Sequence, residues 1–471
     1  MKENMERLIK FRQSLSLSIE ERNLFNLAYK NHIGSLRMAW RALGPIKQRN
    51  SKNSDQMILL KEYQKKIQNE IMICCNEVFD LLIPSMLSKL SNDESKVFFL
   101  KMNGDYNRFL AECSTGDLHN TSKNNAEKAY NESILLAKSV LKPTNPTRLG
   151  LALNYSVFYY EVTKETTKAC DLAKSAFDEA IAFLDQLEEN EYKDSTTIMQ
   201  LIRDNLILWT SEENDDQDKV LEVKDSGNQG EKDSNKLQDY SLLSREELVF
   251  MSKVSEEVER FEDMMGFINQ IVLLGKDLSF QERNFLHVAS KNIIGSRRSA
   301  GHILRKLEET EPNQNNLNLL TVYRQQIDKE LIDICNEVLS LIDQNILKNV
   351  GSPEGKIFFL KMKGDSYRWI SEVSNGAALK ISSENCGKAY NEGNDLAKSK
   401  LKPTDPIRLG LVLNYSVYLY EIANDKMKAC TFAKQAFDNA IGDLDNLGDD
   451  QYKDATAIMQ LIRDNLTLWT N

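Results

Sequence analysis

The chain contains one pattern twice. ERNLFNLAYKN (21–31) recurs as ERNFLHVASKN (282–292), and KVFFLKMNGDYNRF (96–109) as KIFFLKMKGDSYRW (356–369). KACDLAKSAFDEAI (168–181) returns as KACTFAKQAFDNAI (428–441), and YKDSTTIMQLIRDNLILWT (192–210) as YKDATAIMQLIRDNLTLWT (452–470). Lys30 maps to Lys291 and Asn205 to Asn465, so the spacing shortens from 261 to 260 residues. Repeats of about 20–50 residues make solenoids; this period is long enough for a whole domain. The sequence therefore divides into domains over 1–210 and 244–471. Residues 211–243 between them are acidic and poor in apolar side chains, which predicts a flexible acidic linker. Such a linker has a root-mean-square span of roughly 30 Å and a stretched reach of about 110 Å.

Each domain reads as all-α. Gly (20) and Pro (8) are scarce in 471 residues, and no alternating apolar run is longer than a turn. Helices are expected over 3–14, 19–43, 54–90, 93–114, 124–141, 146–163, 165–185 and 193–209. Gly44-Pro45 should stop the second of these and Pro84 bend the third. The second domain repeats the series behind an extra helix over 244–260, opened by a capping box at Ser244-Arg245-Glu246-Glu247. The expectation is two antiparallel helical domains of about eight and nine helices.

Totals narrow the function. The net charge of −10 argues against nucleic acid or membrane surfaces as partners, and no apolar run approaches a membrane span. MKENMERLIKF has no signal-peptide core. The seven cysteines lack any CxxC; Cys75, Cys170, Cys335 and Cys430 sit in apolar helical patterns, as buried thiols do. The expected setting is cytoplasmic, with the nucleus also open to it. His32, His119, His287 and His302 show no ligand spacing, so no metal or cofactor is expected. No catalytic constellation is visible either.

The repeated run RLGLALNYSVFYYE (148–161), matched by RLGLVLNYSVYLYE (408–421), is apolar almost all round. It reads as a core helix, and its few polar groups need partners. Asn154, Val157 and Glu161 share one face, as do Asn414, Val417 and Glu421. One reading is an amide satisfied in the core; the other is an amide that bonds a ligand backbone. Lys30 and Arg37 share a face of their helix, and Lys101, Asp105 and Arg108 share a face of another. Leu201, Asn205, Leu208 and Trp209 line a third. The second copy keeps the set as Lys291, Arg298, Lys361, Asp365, Arg368, Leu461, Asn465, Leu468 and Trp469. Each cation alone is an ordinary surface charge. Together they fit a groove in which guanidinium forks hold a phosphate, asparagines hold an extended peptide, and leucines hold its side chains.

At these residues the chain resembles the 14-3-3 family over nearly all its length outside the linker. The resemblance implies nine-helix domains that dimerise, each with one amphipathic groove for phosphoserine or phosphothreonine peptides. It assigns phosphate binding to Lys30, Arg37 and Arg108, and to Lys291, Arg298 and Arg368. It assigns peptide binding to Lys101, Leu153, Asn154, Val157, Glu161, Leu201, Asn205, Leu208 and Trp209. In the second copy these are Lys361, Leu413, Asn414, Val417, Glu421, Leu461, Asn465, Leu468 and Trp469.

Two departures stand out. A family tyrosine that bonds the phosphate is replaced by Phe109 and Trp369. A bond to a charged group is worth about 1.5–3 kcal/mol, so affinity should fall, and the bulkier Trp369 should crowd the second groove more. The first domain also lacks the family's N-terminal helix, which the second has at 244–265. In the family that helix lies on the partner domain. Arg260 and Asp263 match two of its charged positions; Glu70 and Lys66 are the matching acceptors in the first domain, whereas the second has Glu330 but Gln326. The lysine is missing where its partner helix is missing, which points to an intramolecular pseudo-dimer, with pairing to another such chain as the other arrangement. The expected function is a non-catalytic adaptor for phosphorylated client proteins; the competing one is a scaffold with one or both grooves no longer reading phosphate.

Overall fold

The described elements are all helical, as the scarcity of glycine and proline predicts. The computed structural model describes residues 2–11, 18–82, 92–187, 189–215, 237, 239–444 and 447–470. They fall into two compact units, Met1–Asn235 and Lys236–Asn471.

In the first unit α1 (Lys2–Phe11) precedes the long α2 (Ile19–Arg49) and α3 (Ser54–Leu82). Then come α4 (Asp93–Cys113), α5 (Gly116–Val140), α6 (Pro146–Phe158), α7 (Thr166–Ile181) and α8 (Glu189–Asp215). Successive helices pack together, and α6 also reaches past its neighbours to touch both α4 and α8. The second unit opens with two short helices, α9 (Arg245–Glu257) and α10 (Phe261–Leu273), before the long α11 (Phe280–Thr310) and α12 (Gln314–Leu341). A single turn, α13 (Leu347–Asn349), leads to α14 (Pro353–Val373), α15 (Gly376–Lys400), α16 (Pro406–Glu421), α17 (Lys426–Ile441) and α18 (Asp449–Thr470). Here α16 holds the central place, against α14, α15, α17 and α18.

Local chemistry sets the starts of these helices. Ser18 with Glu21 and Ser279 with Glu282 form reciprocal capping boxes on the two long helices, and the box expected at Ser244 forms with Glu247. Asn145 and Asp405 cap α6 and α16, each followed by a proline whose missing N–H would have no partner there.

Three expectations change. The helix over 19–43 does not stop at Gly44-Pro45; α2 runs through Pro45 to Arg49. A mid-helix proline costs about 3 kcal/mol, and here Leu43 and Ile46 on either side are both fully buried, which offsets it. Helix α5 begins at Gly116, eight residues before the expected 124, because Gly116 adopts the positive φ of 64° that turns the chain out of α4. The linker is shorter than 211–243: α8 continues to Asp215, and Tyr240–Leu242 make a 3₁₀ turn with the Tyr240 ring 4.3 Å from that of Phe267. Residues 216–236 and 238 of the expected linker, and the bend expected at Pro84, lie outside the described residues.

Two cores hold the later helices of the first unit together. In the first unit Val97, Tyr130, Leu151, Tyr155 and Phe158 join α4, α5 and α6. Leu149, Ala169, Met199, Ile202 and Trp209 join α6, α7 and α8. The close approach of α4 to α5 requires Gly104, where an added Cβ would lie 2.7 Å from the Tyr130 ring. Gly364 meets Tyr390 in the same way at 2.6 Å. Cys75 and Cys335 are buried free thiols as expected, while Cys170 and Cys430 are only half-buried.

Candidate functional site

The site in the first domain is built around one buried carboxylate, Asp105 on α4. Lys101, one turn earlier, donates Nζ to Asp105 Oδ2 at 2.7 Å. Tyr130 Oη donates to Asp105 Oδ1 at 2.6 Å, and Asn154 Nδ2 on α6 donates to the same oxygen at 2.8 Å. Arg108 Nε in turn donates to Tyr130 Oη at 3.2 Å. Burial opposes the charge on Asp105, but Lys101 and Arg108 outweigh it and hold the carboxyl below its ordinary range. Burial likewise works against the Arg108 guanidinium, and its anionic surroundings still push its pKa up. Both ends of the network therefore stay ionised.

A second carboxylate organises the cations of α2. Arg37 donates Nε and Nη2 to Glu112 Oε2 at 2.9 and 2.6 Å. Arg41, a turn on, bonds Glu112 Oε1 through Nε and Glu161 Oε2 through Nη2, the latter at 3.0 Å. Beneath them Phe109 presents its ring to two guanidiniums, with Arg37 Cζ 4.0 Å and Arg108 Cζ 4.7 Å from the centroid. A cavity of about 560 Å³ opens over this floor, lined among others by Lys30, Arg37, Lys101, Arg108, Phe109 and Asn154. Lys30 itself is exposed.

The remaining expected residues fall on the neighbouring wall. Leu153 and Val157 of α6 pack against the core beneath α8, while Leu201 and Leu208 of α8 stand about half exposed at 50% and 51%. Asn205 is half-buried between them. Trp209 is buried rather than presented to the groove; its ring stacks on Tyr160 at 4.9 Å and braces the wall. Glu161 departs from the α-helical face assumed for it. It lies in a π turn, Tyr159–Thr163, which carries it to Arg41 and to within 3.8 Å of Arg108.

The second domain keeps the three bonds to the buried carboxylate and alters the arrangement of the arginines. Lys361, Tyr390 and Asn414 bond Asp365 at 2.8, 2.5 and 2.7 Å. Glu372 receives Arg298 at 2.8 and 3.0 Å, and also Arg368 Nη1 at 2.8 Å. Both guanidiniums lie 5.9 Å from the Trp369 ring. Lys291 is exposed, Glu421 closes α16 as an exposed carboxylate, and Leu413 and Val417 are half-buried on α16. On α18 Leu461 and Leu468 are exposed, Asn465 is half-buried, and Trp469 stacks on Tyr420 at 4.6 Å. His287 lies against Phe358, and its pKa falls from 6.5 to about 4 through burial, then Lys361 and Lys291, with Asp365 opposing.

The residues not singled out from sequence are Arg41, Glu112 and Tyr130. Arg41 follows Arg37, and Glu112 follows Arg108, by one helical turn, so the same face-sharing rule would have included them. Tyr130 gives no such signal: it reads as ordinary core. Arg260, expected at a domain interface, donates Nε to Asp263 Oδ2 at 2.5 Å within its own domain. Among the described residues no His, Cys, Asp and Glu group is placed to hold a metal, and no helix is long and apolar enough to cross a membrane.

Known proteins carry the same pattern. The family model for 14-3-3 protein matches residues 1–210 and again 251–470. The chain is 48% identical over 228 residues to 14-3-3-like protein 2 of Caenorhabditis elegans, covering 48% of this chain and 92% of that protein. It is 46% identical over 234 residues to 14-3-3-like protein F of Nicotiana tabacum (48% and 91% covered). Over 230 residues it is 47% identical to 14-3-3 protein beta/alpha-B of Xenopus laevis (49% and 94% covered). Each relative thus spans one domain, and the two matches together show that this chain belongs to the 14-3-3 family as a tandem of two such domains.

Proposed function

We propose that the protein is a non-catalytic adaptor that binds phosphoserine or phosphothreonine peptides, with one groove per domain. The observation that carries this reading is the single cavity over Phe109, in which Lys30, Arg37 and Arg108 meet Asn154. Three cations, two of them guanidinium forks, suit a phosphate dianion, and the half-buried amides of Asn154 and Asn205 suit the backbone on either side of it. Leu153, Val157, Leu201 and Leu208 supply an apolar wall for its side chains. Lys291, Arg298, Arg368, Asn414 and Asn465 repeat the arrangement in the second domain. Two tethered grooves would raise the effective concentration of a doubly phosphorylated client. The chemistry needs no cofactor, and a cytoplasmic location suits seven cysteines that form no disulfide.

The test is titration calorimetry of the full chain with a phosphoserine peptide and its unphosphorylated twin. Two phosphate-dependent sites per chain are expected. Equal binding of the twins would remove phosphate from the account. The scaffold reading is favoured for the second domain alone, by Trp369 and by the engagement of both Arg298 and Arg368 with Glu372.

For assembly we propose that the two domains pair within one chain through residues 244–265, which span α9 and the start of α10, with Lys66 and Glu70 facing Arg260 and Asp263. The pairing of Lys66 with Glu70 in the first domain, where the second has Gln326 with Glu330, supports this. Rim ion pairs contribute about 0–1 kcal/mol each, so apolar contacts must supply most of the energy. Arg260→Glu with Asp263→Lys should loosen the pairing, seen as a larger radius of gyration in small-angle scattering; an unchanged radius would rule it out.

A further inference from the structure

The two domains differ in the core between their first helices. In the first, Tyr29 of α2 and Tyr106 of α4 are buried, and neither phenol oxygen has a hydrogen-bond partner among the described residues. Both rings stand beside α3. Burial raises the Tyr29 pKa, and Glu77, Glu6 and Cys74 add to it; at Tyr106 burial is reinforced by Cys74, Cys75, Asp105 and Tyr29 itself. In the second domain Ser290 and Ser366 hold the two equivalent places. Both are buried, and both hydroxyls turn back on their own helices, Ser290 Oγ to the Leu286 carbonyl at 2.7 Å and Ser366 Oγ to that of Met362 at 3.0 Å.

Removing buried rings leaves a gap that the surroundings close only in part. Ile334, in place of Cys74, is the larger side chain and fills some of the room. What remains is a cavity of about 300 Å³ between α10, α11 and α12. Its wall includes Ile334 and Glu337, the counterparts of the Cys74 and Glu77 that act on Tyr29. Met265, Ile293, Val338 and Leu341 make most of the rest apolar. One polar atom interrupts them: Asn269 Oδ1 on α10 is fully enclosed and accepts no hydrogen bond among the described residues. At the mouth Arg297 lies 3.6 Å from Glu262 and 3.6 Å from Glu330, and Glu337 is exposed.

We propose that this cavity binds one small neutral aromatic molecule that carries a hydrogen-bond donor, a phenol or an indole. The ring takes the room of the missing tyrosines, and its O–H or N–H donates to Asn269 Oδ1, an enclosed acceptor that gains most from such a donor. An apolar cavity of roughly 150 Å³ already accommodates benzene, so this one has space for a substituted ring. Glu262 and Glu337 outnumber Arg297 at the mouth and disfavour an acidic ligand. The site shares no residue with the groove and does not depend on the phosphopeptide reading.

The experiment titrates the full chain, labelled at its Met and Ile methyls, with p-cresol by NMR, with thermal melting alongside. Saturable shifts are expected at Met265, Ile293 and Ile334, with a melting temperature that rises with p-cresol concentration. 4-Hydroxyphenylacetate, which adds a carboxylate, should bind more weakly. Asn269→Leu keeps the size of the cavity and removes the acceptor; it should weaken p-cresol about tenfold and leave toluene bound as tightly or more so. Ser290→Tyr refills the core as in the first domain; it should abolish the shifts and raise the melting temperature of the free protein. Absence of saturable shifts at these methyls up to the solubility of p-cresol would overturn the proposal, as would binding that Asn269→Leu and Ser290→Tyr both leave intact. Asn269→Leu, an isosteric change, supplies the test should Ser290→Tyr not fold.

Discussion

Asn154 Nδ2 lies 2.8 Å from Asp105 Oδ1, across 49 residues of sequence, and Asn414 repeats the bond to Asp365 at 2.7 Å. One N–H of each amide thus ties the central helix to the helix of the arginines. The second N–H and the carbonyl oxygen are left for a ligand. The two readings of this asparagine are therefore compatible: it is anchored in the protein and still half-exposed.

Asp105→Asn should destabilise the first domain by about 3–5 kcal/mol, because Lys101 and Arg108 would lose the buried charge that compensates them. Denaturant unfolding checks this. The acid limb carries the same signature. Asp105 and Glu112 both have folded pKa values below their ordinary range, so their stabilisation is present above about pH 4 and is lost as pH falls through the depressed values. The variant should be less sensitive to acid than the parent over that window.

Gly104→Ala puts a methyl 2.7 Å from the buried Tyr130 ring, which cannot swing aside. A cost of about 1–3 kcal/mol is expected, with loss of phosphopeptide affinity as Tyr130 pulls away from Asp105 and Arg108. Gly34→Ala, on a glycine with open space around it, should be stable by the same melting assay.

Phe109→Tyr restores a hydroxyl at the floor of the cavity. Affinity for a phosphoserine peptide should rise by about tenfold or more, with no change for the unphosphorylated twin. Trp369→Tyr should give at least as large a gain, since it also removes bulk and a buried indole N–H that has no hydrogen-bond partner among the described residues. Calorimetry with the other groove silenced measures both.

His287 should make the second domain lose stability already between pH 6.5 and about 4, a contribution the first lacks because Asn26 holds the equivalent place. Its folded pKa, about 4, lies below the ordinary 6.5, so the unfolded chain binds the proton first. The His287 contribution should fall as pH drops from 6.5 towards 4 and level off below, by about 3 kcal/mol in all. Melting of His287→Asn across this range should show a flatter profile; a profile identical to the parent's would place the acid sensitivity elsewhere.

Much of the molecule was legible in the chain itself. The duplication implied two domains, and 3.6-residue periodicity with a capping box at Ser244 marked helices, because both signals are local. The same face-sharing rule picked out Lys30 with Arg37 and Lys101 with Arg108. The proline rule misled at Pro45, where burial of Leu43 and Ile46 overrides the breaker, and periodicity misled at Glu161, where a π turn changes the face.

Only the tertiary structure decided which charge meets which. Arg37 finds Glu112 across 75 residues, and Arg41 finds Glu161 across 120. Those meetings depend on how α2, α4 and α6 cross, which no single helix encodes. In the second domain Glu372 takes Arg368 as well as Arg298, because a half-buried carboxylate binds whichever cation the fold brings within reach.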